Sequence, residues 1–207
     1  DRGVRVVAAP VRAGKGAALN RAVAQTRSDI VVISDANAFP APDALRKLVR
    51  SFADPEVGCV SGRVAPRPAT GAGATSVAES EGAYWRYEGF IKRAESALAS
   101  ATGVVGSLLA VRRACYEPVP ADVINDDSHL MLAVMRRGLR AVYEPEARCW
   151  RRSSRTSADE ITRRKRLTAG RYQHLSRLRS WPWNAPLTVL MLISHKYLRL
   201  LMPFVMA

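Results

Sequence analysis

Residues 29–37 read DIVVISDAN, an apolar run that ends in two polar residues, Asp35 and Asn37. Four successive apolar residues predict a strand covered on both faces, because a half-exposed strand would alternate polar and apolar side chains. Asp35 and Asn37 would then lie at the carboxyl end of the strand, where open α/β sheets bind ligands. The stretch therefore predicts a covered sheet with a polar site at its edge.

The flanking sequence alternates between strand-like and helix-like patterns. Apolar runs that predict strands occupy residues 4–9, 57–64, 103–113 and 139–145, and helical patterns occupy residues 14–26, 42–52, 76–98, 126–137 and 156–178. Residues 65–75 have the composition of a loop, and Gly138 is suited to cap the preceding helix. This alternation is typical of βα units, so we predict an α/β fold with a mixed, mostly parallel sheet flanked by helices.

The basic residues are concentrated at one end of the chain. The formal net charge is +14 over 207 residues. Residues 148–207 contain 13 basic and two acidic side chains, a net of +11, whereas residues 1–147 contain 19 basic and 16 acidic ones, a net of +3. A basic segment of this kind binds nucleic acid, an anionic membrane surface or a phosphorylated substrate.

The final stretch, residues 184–207, helps to choose among these partners. It is apolar apart from three charges between 195 and 199, which leave pieces shorter than the roughly 20 residues that a membrane span requires. We predict an interfacial amphipathic helix, with residues 200–207 starting a span and with Trp181 and Trp183 at the interface. The Arg-rich segment before it would be cytoplasmic. The alternative is a buried C-terminal helix.

Asp35 and Asn37 offer two oxygen ligands on one side of an extended segment. Hard oxygen ligands suit Mg²⁺ or Mn²⁺, and an ion bound there could hold a diphosphate. An ordinary turn is the alternative, because Asp and Asn are common in turns. Three cysteines and three histidines, all widely spaced, form no zinc motif and no disulfide framework.

Two basic motifs could bind an anion. Lys15 lies between two glycines at the start of a predicted helix, where free backbone N–H groups favour negative charge. The motif is not a Walker P-loop, since its first glycine and its Ser or Thr are missing. Residues 163–166 read RRKR, and some of these side chains could hold phosphate oxygens. A helix-entry turn with a solvated lysine explains the first motif equally well, and a solvated basic helix face or a membrane-surface patch is the alternative for the second.

The pair Asp126 and Asp127 begins an otherwise apolar helix. Acids in a first turn stabilise the helix dipole by about 0.3–1 kcal/mol each. Two adjacent acids on a helix point about 100° apart, so one of them could face the interior. A carboxylate near apolar groups and a second carboxylate would have a raised pKa, which suits a general base.

Taken in order, these motifs resemble those of the membrane-bound family 2 glycosyltransferases, a branch that includes synthases of cellulose, hyaluronan and poly-N-acetylglucosamine. The matching segments are GKGAALN (14–20), SDAN (34–37), VVGSLLAVRR (104–113), INDDSHLML (124–132) and RRKRLTAG (163–170), followed by the hydrophobic tail. Each motif is weak singly, but the ordered set covers nearly the whole chain. The resemblance implies a GT-A fold, which is Rossmann-like, and sugar transfer from a nucleotide donor with inversion.

On the acceptor side, the resemblance makes Asp127 the catalytic base and Asp126 its partner in the acidic pair. Gly106 and Ser107 would belong to a strand that lines the acceptor site. On the donor side, the metal ligands would be Asp35 and Asn37, with Mg²⁺ or Mn²⁺ as the cofactor. The diphosphate would be bound by Lys15, Arg163, Arg164 and Arg166.

This sequence departs from the family pattern at three places. Asn37 replaces an aspartate of the metal motif, which removes one charge. Arg163 and Leu167 stand where a QxxRW-type motif has Gln and Trp, so that match depends mostly on Arg166. The family also begins with a strand–helix–strand segment carrying nucleotide-binding aspartates, which precedes the part that matches here. Whether residues 1–207 are active alone is therefore open.

We predict a catalytic domain over residues 1–180 and an interfacial helix with the start of a transmembrane segment over 181–207. The expected partners are a nucleotide-sugar donor, a UDP-sugar by preference, a glycan or lipid acceptor, and the cytoplasmic face of a bacterial-type inner membrane. A nucleic-acid partner is not expected, because the charge lies in one terminal segment whose aromatic residues are the interfacial tryptophans rather than an interleaved stacking platform. A non-catalytic scaffold and a nucleic-acid-binding protein are the competing hypotheses. The donor sugar, acceptor, processivity and oligomeric state do not follow from the sequence.

Overall fold

The computed structural model of the chain describes residues 3–66, 76–151 and 157–201. Its helices are α1 (Gly14–Ala24), α2 (Ala44–Arg50), α3 (Ser76–Leu98), α4 (Asp126–Arg136), α5 (Ser157–Ser176) and α6 (Pro186–Met191). Its strands are β1 (Ile30–Ile33), β2 (Ala38–Pro40), β3 (Val57–Pro66), β4 (Leu109–Arg112) and β5 (Arg140–Arg151). After α6 the chain continues helically to residue 200, and residues 186–200 are called the C-terminal segment below.

The predicted helices all form, with ends within a few residues of those expected. Gly138 ends the turn after α4 at a φ of +75°, a conformation that favours glycine, and its N–H donates to the Met135 carbonyl at 3.0 Å. Two strands differ in length. β5 runs six residues beyond its predicted end at 145, and β4 uses only four of the residues in the predicted strand 103–113. Most of the predicted loop 65–75 lies outside the described residues.

The five strands form one sheet in the order β1-β4-β3-β5-β2. The mixed α/β class is confirmed, but the expectation that the sheet is mostly parallel is wrong for the described strands. Only β3 and β5 pair in parallel, and the other three pairings are antiparallel. Alternating apolar runs and helices indicate that both sheet faces are covered, but they do not fix the direction in which β4 enters between β1 and β3.

The predicted strand at residues 4–9 does not form. Val4 and Val6 are 79% and 85% exposed, and no described strand pairs with this stretch. β-branched residues favour an extended backbone, but a strand also requires a hydrogen-bonded neighbour. Residues 4–9 are therefore a connection that leads into α1.

Apolar side chains from alternate positions of the sheet fill two cores, one on each face. In β4, Leu109 and Val111 face α4 and the C-terminal segment, whereas Ala110 faces α2. The six residues 130–135 of α4 are at most 2% exposed. Covering both faces explains why the strands lack polar alternation.

The C-terminal segment packs one side on the core and leaves the other exposed. Leu192, Tyr197 and Leu200 belong to the core cluster beside α4. Five other apolar side chains are 43–61% exposed: Leu187, Leu190, Ile193, Leu198 and, just beyond the segment, Leu201. No helix in the described part of the chain has the length and hydropathy to cross a bilayer. The start of a span that we expected at 200–207 falls almost wholly outside that part.

The two tryptophans before the C-terminal segment differ in environment. Trp181 is buried and stacks on Tyr197 with ring centroids 5.0 Å apart, and its indole N–H donates to the His174 carbonyl. Trp183 is 58% exposed. Of the two, only Trp183 has the exposure that an interfacial position requires.

An ionic cluster joins the C-terminal segment to α3. It consists of Glu88, Glu95, Thr102, His195, Lys196 and Arg199, and we call it the C-terminal cluster. His195 Nδ1 lies 2.7 Å from Glu95 Oε1, and Arg199 donates to Glu88 at 2.7 Å. The charges that interrupt the apolar tail therefore face the protein interior.

Because of the C-terminal cluster, we expect the folded protein to lose stability above neutral pH. The carboxylates of Glu88, 3.8 Å from His195 Nε2, and of Glu95, hydrogen-bonded to Nδ1, raise the pKa of His195 from 6.5 to about 9. Because the folded pKa is the higher one, the stabilisation is complete below pH 6.5 and is lost as the pH rises through 9. We expect the free energy of unfolding to fall by up to about 2 kcal/mol between about pH 6.5 and 8, measured by urea denaturation.

His195→Gln should abolish most of this fall, whereas His129→Gln should keep it, because burial lowers the pKa of His129. Lys196 does not interfere in this window. Burial lowers its pKa to about 8, so its opposite effect on stability begins only above that pH. Equal slopes for the wild type and His195→Gln would contradict the prediction.

Candidate active site

Four segments converge at one edge of the sheet. They are the first turn of α1, the turn after β1, the stretch before β4 and the first turn of α4. The structure brings together six of the residues that the sequence singled out: Lys15, Asp35, Gly106, Ser107, Asp126 and Asp127. Lys15 and Asp126, which are more than 100 residues apart in the sequence, are thus in direct contact.

Lys15 and Asp35 form the centre of this site. Lys15 Nζ lies 2.9 Å from Asp35 Oδ1, and the Ser107 hydroxyl donates to Asp35 Oδ2 at 2.7 Å. Partial burial opposes ionisation of Asp35, but the hydrogen bonds from Lys15 and Ser107 outweigh it and lower the Asp35 pKa. Burial likewise opposes the charge of Lys15, whose pKa is nevertheless raised by Asp35 and Asp126. Both groups are therefore charged at neutral pH.

The two adjacent acids of α4 have different environments. Asp126 is 8% exposed and forms an ion pair with Lys15, with Oδ2 and Nζ 3.0 Å apart. Asp127 is only partly buried, and its oxygens accept hydrogen bonds from the Ser128 N–H at 2.7 Å and the Gly106 N–H at 3.2 Å. Asp126 thus holds the lysine, whereas Asp127 is oriented by two backbone donors and remains accessible.

Gly106 lies between the lysine and the second acid. A Cβ atom built on it would lie 3.5 Å from both Lys15 Nζ and Asp127 Cβ. A larger side chain at this position would extend into the space between the two groups. The small residue therefore keeps open the gap in which a ligand could reach both charges.

Comparison with known proteins identifies the family of the chain. The sequence model of the family described as "Glycosyltransferase like family 2" matches residues 1–170. The chain belongs to this family. Among curated relatives, an N-acetylglucosaminyltransferase of Rhizobium meliloti strain 1021 is 26% identical over 150 residues, covering 67% of this chain and 34% of the relative. Poly-beta-1,6-N-acetyl-D-glucosamine synthase of Staphylococcus aureus strain COL is 28% identical over 142 residues, covering 66% and 34%.

A solved structure supports the same fold. A mannosyltransferase from Pyrobaculum calidifontis, crystallised with GDP-Man and Mn²⁺, superposes with a TM-score of 0.68 at 28% identity, covering 90% of this chain and 51% of that one. The GT-A fold that the sequence predicted is therefore confirmed. The chain spans about a third of the length of the curated relatives that it matches.

The two candidate metal ligands, Asp35 and Asn37, lie at a turn. Asp35 and Ala38 close it through a backbone hydrogen bond of 3.0 Å, and Asn37 is exposed on it. In the described residues, no group of three or more His, Cys, Asp or Glu could hold a metal ion. One carboxylate with one amide oxygen nevertheless fits Mg²⁺ or Mn²⁺ shared with a diphosphate, since such ions are often held by one or two protein oxygens and substrate phosphates.

The arginines of α5 are not in contact with the acidic pair. Arg163 and Arg164 both bond Glu160, at 2.7–2.9 Å, and Arg166 is exposed. A glutamate three and four residues before two arginines is an ordinary helical pairing, so the sequence contained this signal. Any role of the three arginines in diphosphate binding therefore remains a proposal.

Arg151 is a site residue that the sequence analysis missed. It ends β5 beside the β2 turn, and its pKa is lowered by burial and by Arg163, while Glu160 and Asp35 oppose this shift. The Arg151 guanidinium therefore lies within electrostatic range of Asp35 and of Arg163 on α5. Arg151 lies at the end of the observed strand, but the predicted strand ended at 145, so the sequence analysis did not place this cation at the sheet edge.

Proposed function

We propose that this chain is the catalytic portion of an inverting, metal-dependent glycosyltransferase that uses a nucleotide-sugar donor. The observation that supports the proposal most strongly is the arrangement of Asp127 and Lys15 on either side of Gly106. The partly exposed carboxylate of Asp127 suits an acceptor hydroxyl on one side of Gly106, and the ammonium group of Lys15 suits a donor diphosphate on the other. Family membership supports the same reaction class.

In the proposed reaction, Asp127 removes the proton from an acceptor hydroxyl as that oxygen attacks the anomeric carbon. A new glycosidic bond forms on the face opposite the leaving group, so the configuration inverts. The bond from the anomeric carbon to the diphosphate breaks, and the nucleoside diphosphate leaves with the electron pair. The Gly106 and Ser128 N–H groups orient Asp127 for this role.

On the donor side, Asp35 and Asn37 would hold a divalent ion, which when bound neutralises charge on the leaving diphosphate. Lys15 supplies a further positive charge next to Asp35. We assign Arg151, Arg163, Arg164 and Arg166 to the same electrostatic role, with Arg166 as the exposed group that could move toward the phosphates. UDP-sugars are the proposed donors and a glycan or lipid the proposed acceptor.

A direct assay tests this proposal. Purified protein is incubated with Mn²⁺ or Mg²⁺, a set of UDP- and GDP-sugars, and oligosaccharide or lipid acceptors. Release of nucleoside diphosphate that depends on both acceptor and metal is the expected result. Metal-independent release, or transfer that persists in excess chelator, would remove the metal from the mechanism. Absence of transfer by the complete enzyme with every donor would instead favour a non-catalytic scaffold.

We further propose that the chain acts at the cytoplasmic face of a bacterial inner membrane, where residues 181–207 form an interfacial helix and the start of a transmembrane segment. Five exposed apolar side chains on and just after the C-terminal segment support this location, because an exposed apolar surface of this kind is typical of lipid contact. The net charge of +11 over residues 148–207 would add attraction to anionic lipids.

Vesicle sedimentation tests the membrane proposal. The double substitution Leu190→Gln and Leu198→Gln should weaken binding to phosphatidylglycerol-containing vesicles by about tenfold or more. Two leucines that become partly buried in the bilayer on binding contribute at least about 1.4 kcal/mol together. Leu45→Gln is the matched control, because Leu45 is 52% exposed on α2. Equal binding of the double variant and the control would contradict an interfacial role for this surface.

A further inference from the structure

The stretch from Thr102 to Ser107 connects two parts of the molecule that the proposed function treats separately. At one end, the Thr102 N–H and hydroxyl both donate to Glu95, at 2.9 Å and 2.8 Å. At the other end, the Gly106 N–H donates to Asp127 and the Ser107 hydroxyl to Asp35. We call residues 102–107 the connecting loop.

Lys196 bonds the first residue of the connecting loop. Its Nζ donates to the Thr102 carbonyl at 3.1 Å, so the carbonyl, the N–H and the hydroxyl of Thr102 all have partners. Glu95 holds the loop from α3, and Lys196 holds it from the C-terminal segment. Because α3 and the C-terminal segment both hold Thr102, they together set the backbone position from which the loop runs to Gly106 and Ser107.

The placement of Lys196 is hard to explain by stability alone. Burial lowers its pKa to about 8, although Asp127 and Glu95 oppose the shift. Lys196 is partly buried, and a single backbone carbonyl compensates only in part for the water that its ammonium group loses. Replacing this lysine with an apolar residue of similar length would remove that cost but would leave the buried Thr102 carbonyl without a donor, so the two effects on stability oppose each other.

We propose that Lys196 is a positioning residue for sugar transfer, because its bond to the Thr102 carbonyl fixes the loop that presents Gly106 to Asp127 and Ser107 to Asp35. This inference rests on the proposed function for the identity of the reaction. Without Lys196, the Thr102 side chain keeps its contacts with Glu95 and with His195, whose Nδ1 lies 3.2 Å from the hydroxyl, but the backbone carbonyl of Thr102 loses its donor. A small displacement of Gly106 would then release one of the two donors that orient the base, and small misplacements reduce rates strongly.

The decisive variant is Lys196→Met, which keeps the length and removes the donor. We expect kcat to fall about tenfold or more with donor KM within about twofold, while the melting temperature changes by only a few degrees. Lys196→Arg, which still donates, should recover part of kcat. Lys47→Met is the control, because Lys47 pairs with Asp43 on the surface of α2, and its kcat should equal that of the wild type.

Backbone hydrogen exchange provides a readout that does not require turnover. In Lys196→Met the Gly106 amide should exchange at least about tenfold faster, while amides of β3 and α4 exchange as in the wild type. Unchanged kcat together with unchanged Gly106 exchange would overturn the proposal, and so would faster exchange throughout the fold. A wild type without transfer activity would refute the proposed function, yet the exchange result would still decide whether Lys196 positions the loop.

A second substitution covers the case in which Lys196→Met does not fold. Lys196→Gln keeps a polar group whose amide stops one bond short of the Thr102 carbonyl. It should show the same loss of kcat and the same local increase in exchange. Wild-type values for both quantities in folded Lys196→Gln would overturn the proposal.

Discussion

Asp127→Asn is expected to reduce sugar transfer by about 10²-fold or more and to leave the fold intact. The amide is nearly isosteric with the carboxylate, and its oxygen can still accept the hydrogen bond from Gly106 or Ser128. It cannot accept the acceptor proton. Loss of rate without loss of stability would therefore identify a base, and the measurement pairs initial transfer rates with thermal melting.

Asp126→Asn is the matched comparison, because it changes the adjacent residue in the same turn. Its expected effect on rate is milder, since the proposed role of Asp126 is to position Asp127 and the acceptor, and its carboxylate pairs with Lys15. If both acids only stabilised the helix dipole, each variant would lose about 0.3–1 kcal/mol of stability and keep its activity. Near-normal transfer by Asp127→Asn would leave the pair with this structural role and remove the base from the mechanism.

Asp35→Ala should abolish the metal-dependent part of the activity, a loss that we also expect to reach about 10²-fold. The carboxylate is the only charged oxygen ligand of the metal motif, because Asn37 is neutral. Its removal also deprives Lys15 and Ser107 of a partner. Titration of rate against Mn²⁺ and Mg²⁺, with direct calorimetry of Mn²⁺ binding, measures both consequences.

Asp43→Ala serves as the control for that experiment. Asp43 is an exposed acid that pairs with Lys47, so its loss should not change metal dependence. A wild-type metal response in Asp35→Ala would mean that the ion, if one is needed, binds elsewhere. A response lost equally in both variants would indicate a general effect of charge rather than a specific ligand.

The sequence predicted the positions of the acidic site well, for a physical reason. Apolar runs locate buried strands, and a polar residue directly after such a run lies at the sheet edge. Asp35 was located in this way. The first turn of α4 was located by its acids and its apolar continuation. Contact between them follows once both ends lie on the same edge.

Features that depend on long-range packing could not be read in the same way. Nothing in LAVR (109–112) indicates the direction in which β4 runs, because side-chain burial is the same either way. The charges at 195–199 looked like interruptions of a membrane-facing stretch, since their carboxylate partners on α3 are about 100 residues away. Arg163 was expected near phosphate, but the local pairing with Glu160 governs its position in this structure.

The contact between α5 and α4 has a consequence for protein engineering. Gly170 is buried inside α5, and a Cβ atom there would lie 2.3 Å from the Asn125 amide nitrogen, next to the acidic pair. Alanine would favour the helix by about 1 kcal/mol but would displace Asn125 or the whole helix. A design based on helix propensity would select this substitution, and a screen by melting temperature alone would not detect an effect on catalysis. Position 170 is therefore one at which thermostability and activity should be scored together.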